Sequence, residues 1–111
     1  MTAESRAIPE KGISAGDFTV AADHPCLAGH FPGRPVVPGV MLLDEVFSCI
    51  RNYTATGGPI ALDAVKFMAP VLPGQNVRVI LEIRPHRRVG FTCEVEGARV
   101  MAGTASFAAL P

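Results

Sequence analysis

Short strand-like runs flank one longer helical run along this chain. Residues 17–22, DFTVAA, are β-branched and aromatic enough to predict a strand. Over residues 39–53, GVMLLDEVFSCIRNY, the apolar side chains Val40 to Leu43, Val46, Phe47, Cys49, Ile50 and Tyr53 cover most of a helical circumference. That pattern predicts a helix buried nearly all round. The TATGGP that follows supplies a terminating glycine pair with a proline beyond it. Further strand-like runs span 60–68, 76–84, 89–96 and 99–109, separated by APVLPGQ, RPHRR and an EG turn. Consecutive strands with short connections imply an antiparallel sheet, and a single apolar helix is best buried by letting that sheet wrap around it. The expectation is an α+β roll whose exposed sheet edge favours pairing with a second copy.

The size of the chain allows one core, because 111 residues cannot be divided into two independently stable halves. Residues 1–16 read as a loosely ordered N-terminal segment and 17–111 as a single domain. Between the first strand and the helix lies HPCLAGHFPGRPVVP, in which three prolines after His30 fix φ and withdraw backbone donors. Such a stiff, irregular segment suits the positioning of side chains. Asp44 and Glu45 interrupt the apolar helix, and a carboxylate taken out of water needs a partner or a chemical task.

Composition narrows the class. Charged residues are 18% of the chain and AVILMFWYC residues 49%, so a compact monomer would leave apolar surface in water, which favours an oligomer. Ten Lys+Arg balance ten Asp+Glu, which argues against a nucleic-acid protein. The opening MTAESRAIPEKG has neither a basic n-region nor an apolar h-region, and no stretch is long enough to span a bilayer. Cys26, Cys49 and Cys93 form neither a C-x-x-C pair nor an even disulfide set, so a cytoplasmic location is expected.

Residues 30–40, HFPGRPVVPGV, followed by Leu42-Leu43-Asp44, resemble the HFPGxPxxPGV signature of the hot-dog dehydratases that act on 3-hydroxyacyl thioesters of acyl carrier protein, the FabA/FabZ group. Lys66-Phe67 through Pro73-Gly74 is similar to that family's "KF…PV.PG" strand and turn, and residues 91–107 resemble its closing hairpin. The resemblance implies a hot-dog fold, with an antiparallel sheet wrapped around one long central helix. It also implies a catalytic pair at His30 and Asp44, drawn from opposite subunits of a dimer, and an oxyanion donor at the Gly39 N–H. FabZ-type enzymes usually carry Glu at the acid position and FabA-type enzymes Asp, so this chain has Asp44 within a motif closer to FabZ.

The residue types suit that chemistry. Removing water from a 3-hydroxyacyl thioester needs a base for the C2 proton, an acid for the hydroxyl and a donor to the thioester oxygen. Imidazole, with a reference pKa of ~6.5, suits the base at His30, and Asp44 can assist the hydroxyl. Gly39 opens the helix, where unsatisfied N–H groups and the positive dipole end meet. Phe31, Pro38, Val40 and Phe67 are the expected substrate-lining residues. No cofactor or metal is required. His24, Cys26 and His30 form H-x-C-x3-H, yet no fourth ligand stands at a usual spacing.

The cluster Arg84, His86, Arg87 and Arg88 reads either as a solvated turn or as a docking patch for an acidic partner. The resemblance favours docking of an acyl carrier protein by Arg84, Arg87 and Arg88. The expected activity is dehydration of a carrier-bound 3-hydroxyacyl thioester to a trans-2-enoyl thioester, in fatty-acid or related polyketide or polyene synthesis. The expected assembly is a homodimer or higher homo-oligomer, or a hetero-oligomer with another hot-dog subunit. A non-catalytic acyl-binding module is the alternative from another class, and a hot-dog thioesterase the alternative enzyme.

Overall fold

The computed structural model describes residues 12–24 and 36–108. Strand β1 (Ile13–Thr19) is followed by helix α1 (Gly39–Thr54), and then by β2 (Ile60–Phe67), β3 (Asn76–Arg84), β4 (Arg88–Val95) and β5 (Ala98–Phe107). All five strands form one sheet in the order β1-β3-β4-β5-β2, with every neighbour antiparallel. This is the hot-dog architecture the pattern implied, one long helix against an antiparallel sheet. Strands β3, β4 and β5 form a meander closed by two tight turns. Glu96 (φ 52°) and Gly97 (φ 83°) make the second turn, where glycine accepts the left-handed geometry freely.

The core lies between helix and sheet. Leu42, Val46 and Ile50, spaced four apart on one helix face, are buried against inward residues of β3 and β4 such as Val79, Leu81, Phe91 and Cys93. The helix is not buried nearly all round in the single chain. Val40 is 64% exposed, Asp44, Glu45, Ser48 and Tyr53 are exposed, and Met41, Leu43 and Phe47 are only half-buried. One sheet covers one side of a helix, and several of the apolar residues that made the pattern continuous lie on the side away from it.

Strand β1 starts at Ile13, so four residues assigned by pattern to the loose N-terminal segment are in the sheet. A register shift between Ser14 and Gly16 breaks the alternation there. Near Gly16 the helix approaches closely, with the Cys49 sulfur 3.6 Å from where a glycine Cβ would stand.

The helix ends on Ala55 in the left-handed conformation, its N–H donating to the Arg51 carbonyl at 2.8 Å. Beyond it, buried Thr56 ties the helix exit to the end of β5. Its hydroxyl donates to the Ala108 carbonyl (2.8 Å) and accepts from the Gly58 N–H (3.2 Å). Thr56→Val keeps the shape and loses both bonds. An expected loss of about 1–3 kcal/mol should appear as a lower urea midpoint at unchanged m-value.

Burial pushes the Cys93 thiol up to about 12, with nearby Cys49 adding to the effect. The unfolded thiol titrates near its ordinary value of 9.0, so above that pH the unfolded chain loses a proton that the native state keeps. Stability is therefore expected to fall between pH 9 and 12, by about 1.4 kcal/mol per pH unit for this one proton. Urea melts across that window should show the slope, and Cys93→Ala should flatten it.

Candidate functional site

A stiff lead-in positions the helix start. Pro38 occupies the N-cap in extended geometry (φ −60°, ψ 143°), and proline offers no side-chain cap hydrogen bond. No acidic residue stands in the first turn. The Met41 N–H donates back to the Pro38 carbonyl at 3.0 Å, and Gly39 begins a helix end that carries the positive end of the dipole without a capping side chain.

That helix start opens into a groove of about 410 Å³. Its walls come from two distant stretches of sequence, Val36, Val37, Gly39 and Leu42 on one side and residues 67–71 on the other. A hydrogen bond from the Val37 N–H to the Val71 carbonyl (2.8 Å) ties the two stretches together. Phe67, the last residue of β2, turns its ring edge to Gly39, where a glycine Cβ would come within 2.8 Å of two ring carbons. Glycine at 39 therefore lets the ring and the helix start share the space. Among the described residues the lining contains no polar side chain, so this part of the groove suits a hydrocarbon segment, while the helix start supplies polarity at one point.

Of the residues singled out by sequence, Gly39 and Phe67 meet at this groove and Pro38 adjoins it as the cap. Val40 does not line it and projects on the exposed helix face. Asp44 shares that outer face, two residues on from buried Leu42 and thus about 200° around the helix. It forms no ion pair with Arg51 or any other described residue. Both Asp44 and Glu45 are exposed, so the single chain gives neither carboxylate a buried setting. His30 and Phe31, with Cys26, lie outside the described residues. Met68, which suits either a packed core or an acyl tunnel, lines the groove, and so does Val71, which was not singled out; the Lys66-Phe67 to Gly74 segment was the signal that could have found it.

The basic cluster occupies the β3–β4 hairpin, at the other end of the strands from the groove. Arg84 pairs with Arg88 across the hairpin, Arg88 with Ser106, and the Arg87 carbonyl accepts from the Phe107 N–H opposite Ile60, the first residue of β2. Phe67 is at the far end of that strand, roughly 23 Å away at strand rise. His86 (φ 64°) and Arg87 (φ 57°) both take the left-handed conformation, which costs non-glycine residues of order 1–3 kcal/mol each. Arg84 is bound to Glu82, 2.7 Å from Nη2 and 3.3 Å from Nε, and lies over Gly90. Its charge is thereby partly answered within the sheet. Residues 86–88 form the exposed remainder.

Among the described residues no group of His, Cys, Asp and Glu could hold a metal ion, and no helix is long and apolar enough to cross a membrane. Burial raises the Cys49 thiol, and the charge of Glu45 raises it further, so Cys49 is a poor nucleophile at neutral pH.

Among solved structures, the dehydratase heterocomplex ApeI:P from Xenorhabdus doucetiae superposes with a TM-score of 0.73 at 22% identity, over 81% of each chain. An uncharacterized protein from Erwinia carotovora subsp. atroseptica gives the same TM-score at 27% identity, over 85% of this chain and 81% of that one. In sequence, the 3-hydroxyacyl-acyl-carrier-protein dehydratase FabZ of Mannheimia succiniciproducens is 31% identical over 78 residues, 62% of this chain and 52% of the relative. That of Granulibacter bethesdensis is 31% identical over 115 residues, 91% of this chain and 65% of the relative. The chain thus spans about half to two thirds of the length of these curated relatives. The family model for ApeI dehydratase matches residues 8–104, a stretch that takes in β1, the helix start, the groove and most of β5. By that match, the chain belongs to the ApeI-like family of hot-dog dehydratases.

Proposed function

We propose that this protein eliminates water from a 3-hydroxyacyl thioester carried on acyl carrier protein, giving a trans-2-enoyl thioester for fatty-acid or related polyketide or polyene synthesis. The observation that carries the proposal is the meeting of two sequence-distant motif segments. Residues 36–42 and 67–71 enclose an apolar groove that ends on the uncapped helix start at Gly39. A chain lying in the groove would bring its thioester oxygen to the Gly39 N–H, a donor of the kind typically worth ~2.7–4 kcal/mol to the transition state. His30 would remove the C2 proton and Asp44 assist the departing hydroxyl. Asp44 faces away from its own sheet, which supports a site completed by a second subunit. The named substrates of the FabZ relatives and the heterocomplex of ApeI:P support carrier-bound substrate and assembly with another hot-dog subunit, the same chain or a different one.

The test follows the ultraviolet absorbance of a 2-enoyl thioester on carrier protein while free thiol is measured in parallel. Loss of chromophore without thiol release is expected, since elimination is reversible. Release of thiol would point instead to a thioesterase. Binding with neither change, across chain lengths, would leave an acyl-binding module.

A further inference from the structure

The space that a side chain at position 39 would take is filled by another residue. Among the described residues, the three atoms nearest that Cβ position all belong to the Phe67 ring, two ring carbons at 2.8 Å and a third at 3.6 Å. In a helix the Cα–Cβ bond tilts toward the N-terminus, so the ring edge stands ahead of the helix start, on the side to which the unsatisfied N–H groups of the first turn point. The Cβ position is two bonds from the Gly39 nitrogen, which puts the ring edge roughly 5 Å at most from that nitrogen.

A thioester oxygen accepting from the Gly39 N–H would lie about 2.9 Å from the same nitrogen, with the carbonyl carbon one bond farther and C2 two bonds farther. The reacting C2 and the ring edge thus share one shell around Gly39. The groove decides which side of the thioester meets the ring. One wall is built by residues 67–71, so an acyl chain lying in the groove leaves Gly39 along Phe67 and directs the sulfur the other way.

The backbone is tied on both sides of this point. Phe67 pairs with Met101 of β5, and the Met68 N–H donates to the Val100 carbonyl at 2.9 Å. Opposite, the Val37–Val71 hydrogen bond joins the two walls beside the helix start. The room beside C2 is therefore set by a side chain, and Phe67 is the described side chain that takes it. Phe67 is 51% exposed and stands outside the core cluster, so packing alone does not account for an aromatic ring there.

We propose that Phe67 selects the class of acyl chain: 3-hydroxyacyl thioesters with two hydrogens on C2 are accepted, and those with a methyl branch on C2 are turned away by the ring edge. The inference rests on the dehydratase reading and adds to it the residue that discriminates among substrates. A 2-methyl substrate keeps one C2 proton, so the same bonds break and form in both cases: C2–H and C3–O break, C2=C3 forms and water leaves. The difference lies in fit.

The test follows the appearance of enoyl absorbance from two carrier-bound thioesters of equal length, a 3-hydroxyacyl chain and its 2-methyl counterpart supplied as a mixture of configurations. Wild type should favour the unsubstituted chain by at least about tenfold in kcat/KM, within the roughly 10–200-fold that one methylene commands in a fitted apolar site. Phe67→Ala should raise kcat/KM for the 2-methyl substrate several-fold in absolute terms, while the unsubstituted chain, having lost an apolar contact, is turned over less well. Phe67→Leu, with an apolar side chain of shorter reach, should fall between the two. A damaged fold lowers both rates and raises neither, so the gain separates selection from structure, and either variant suffices. Equal turnover of both substrates by wild type, an unchanged ratio in the variants, or a ratio that shifts only through loss of the unsubstituted substrate overturns the inference and leaves the dehydratase reading intact. Wild type inert toward both thioesters overturns the two together.

Discussion

Asp44→Asn and His30→Ala are each expected to lower the hydration of a carrier-bound 2-enoyl thioester by ~10²–10⁴-fold, the usual contribution of a positioned acid or base. Asp44 is on the exposed helix face, where the amide changes neither packing nor a described ion pair, so the Asn variant should melt within about 0.5 kcal/mol of wild type. Loss of turnover at unchanged stability separates a chemical role from a structural one. If the loss falls on kcat, the carboxyl acts in the transition state. A loss confined to KM would mean that Asp44 only helps to hold substrate. A variant with full activity would remove Asp44 from the mechanism.

The second large effect is on folding. Gly103 pairs with Phe91 in β4 and Val65 in β2, and the Phe91 ring lies across it. A side chain there would meet the Ala64 carbonyl oxygen, with the Phe91 ring 2.6 Å and the Val65 Cα 3.0 Å from its Cβ. Backbone cannot step aside as a side-chain tip can, so Gly103→Val should separate β2 from β5 and cost about 3 kcal/mol, the upper part of the range for overpacking. Gly90→Ala is the informative contrast. Its Cβ would meet the Arg84 guanidinium 2.6 Å away, a flexible group that can shift toward solvent, and the cost should stay below about 1 kcal/mol. Urea denaturation of the two variants checks both values. Because β2 ends on Phe67, the Gly103 variant should also lose thioester turnover.

Much of this architecture was legible in the chain. The third strand-like run, 76–84, coincides with β3, and the helix begins at Gly39 as the proline before it required. The EG turn was legible because left-handed geometry at Gly97 needs a glycine. The early start of β1 was hidden, since a bulge at Gly16 removes the alternation by which a strand is recognised. Burial of the helix nearly all round was an over-reading for the single chain, because a pattern reports which residues avoid water and not whether its own chain covers them. Val40 and Tyr53 are the cases in point. Gly39 and Phe67 each stand in a motif legible in the chain, but their contact was not legible, since 28 positions separate them. The position of Arg87 and Arg88 far from the groove depends on strand direction, which composition does not encode.

The strand order also sets the sequence in which the sheet can assemble. Neighbours β3, β4 and β5 are joined by turns of two or three residues, so their pairing closes short loops and gains contacts early. The two edges are different. Ile13 must find Leu81, and Ile60 must find Phe107, across long intervening stretches of chain whose entropy is lost before any contact forms. A meander that forms first and edges that dock last leave β2 unprotected during folding, with Leu62 and Phe67 exposed on it. Strand β2 is thus the segment most open to mispairing while the chain is being made.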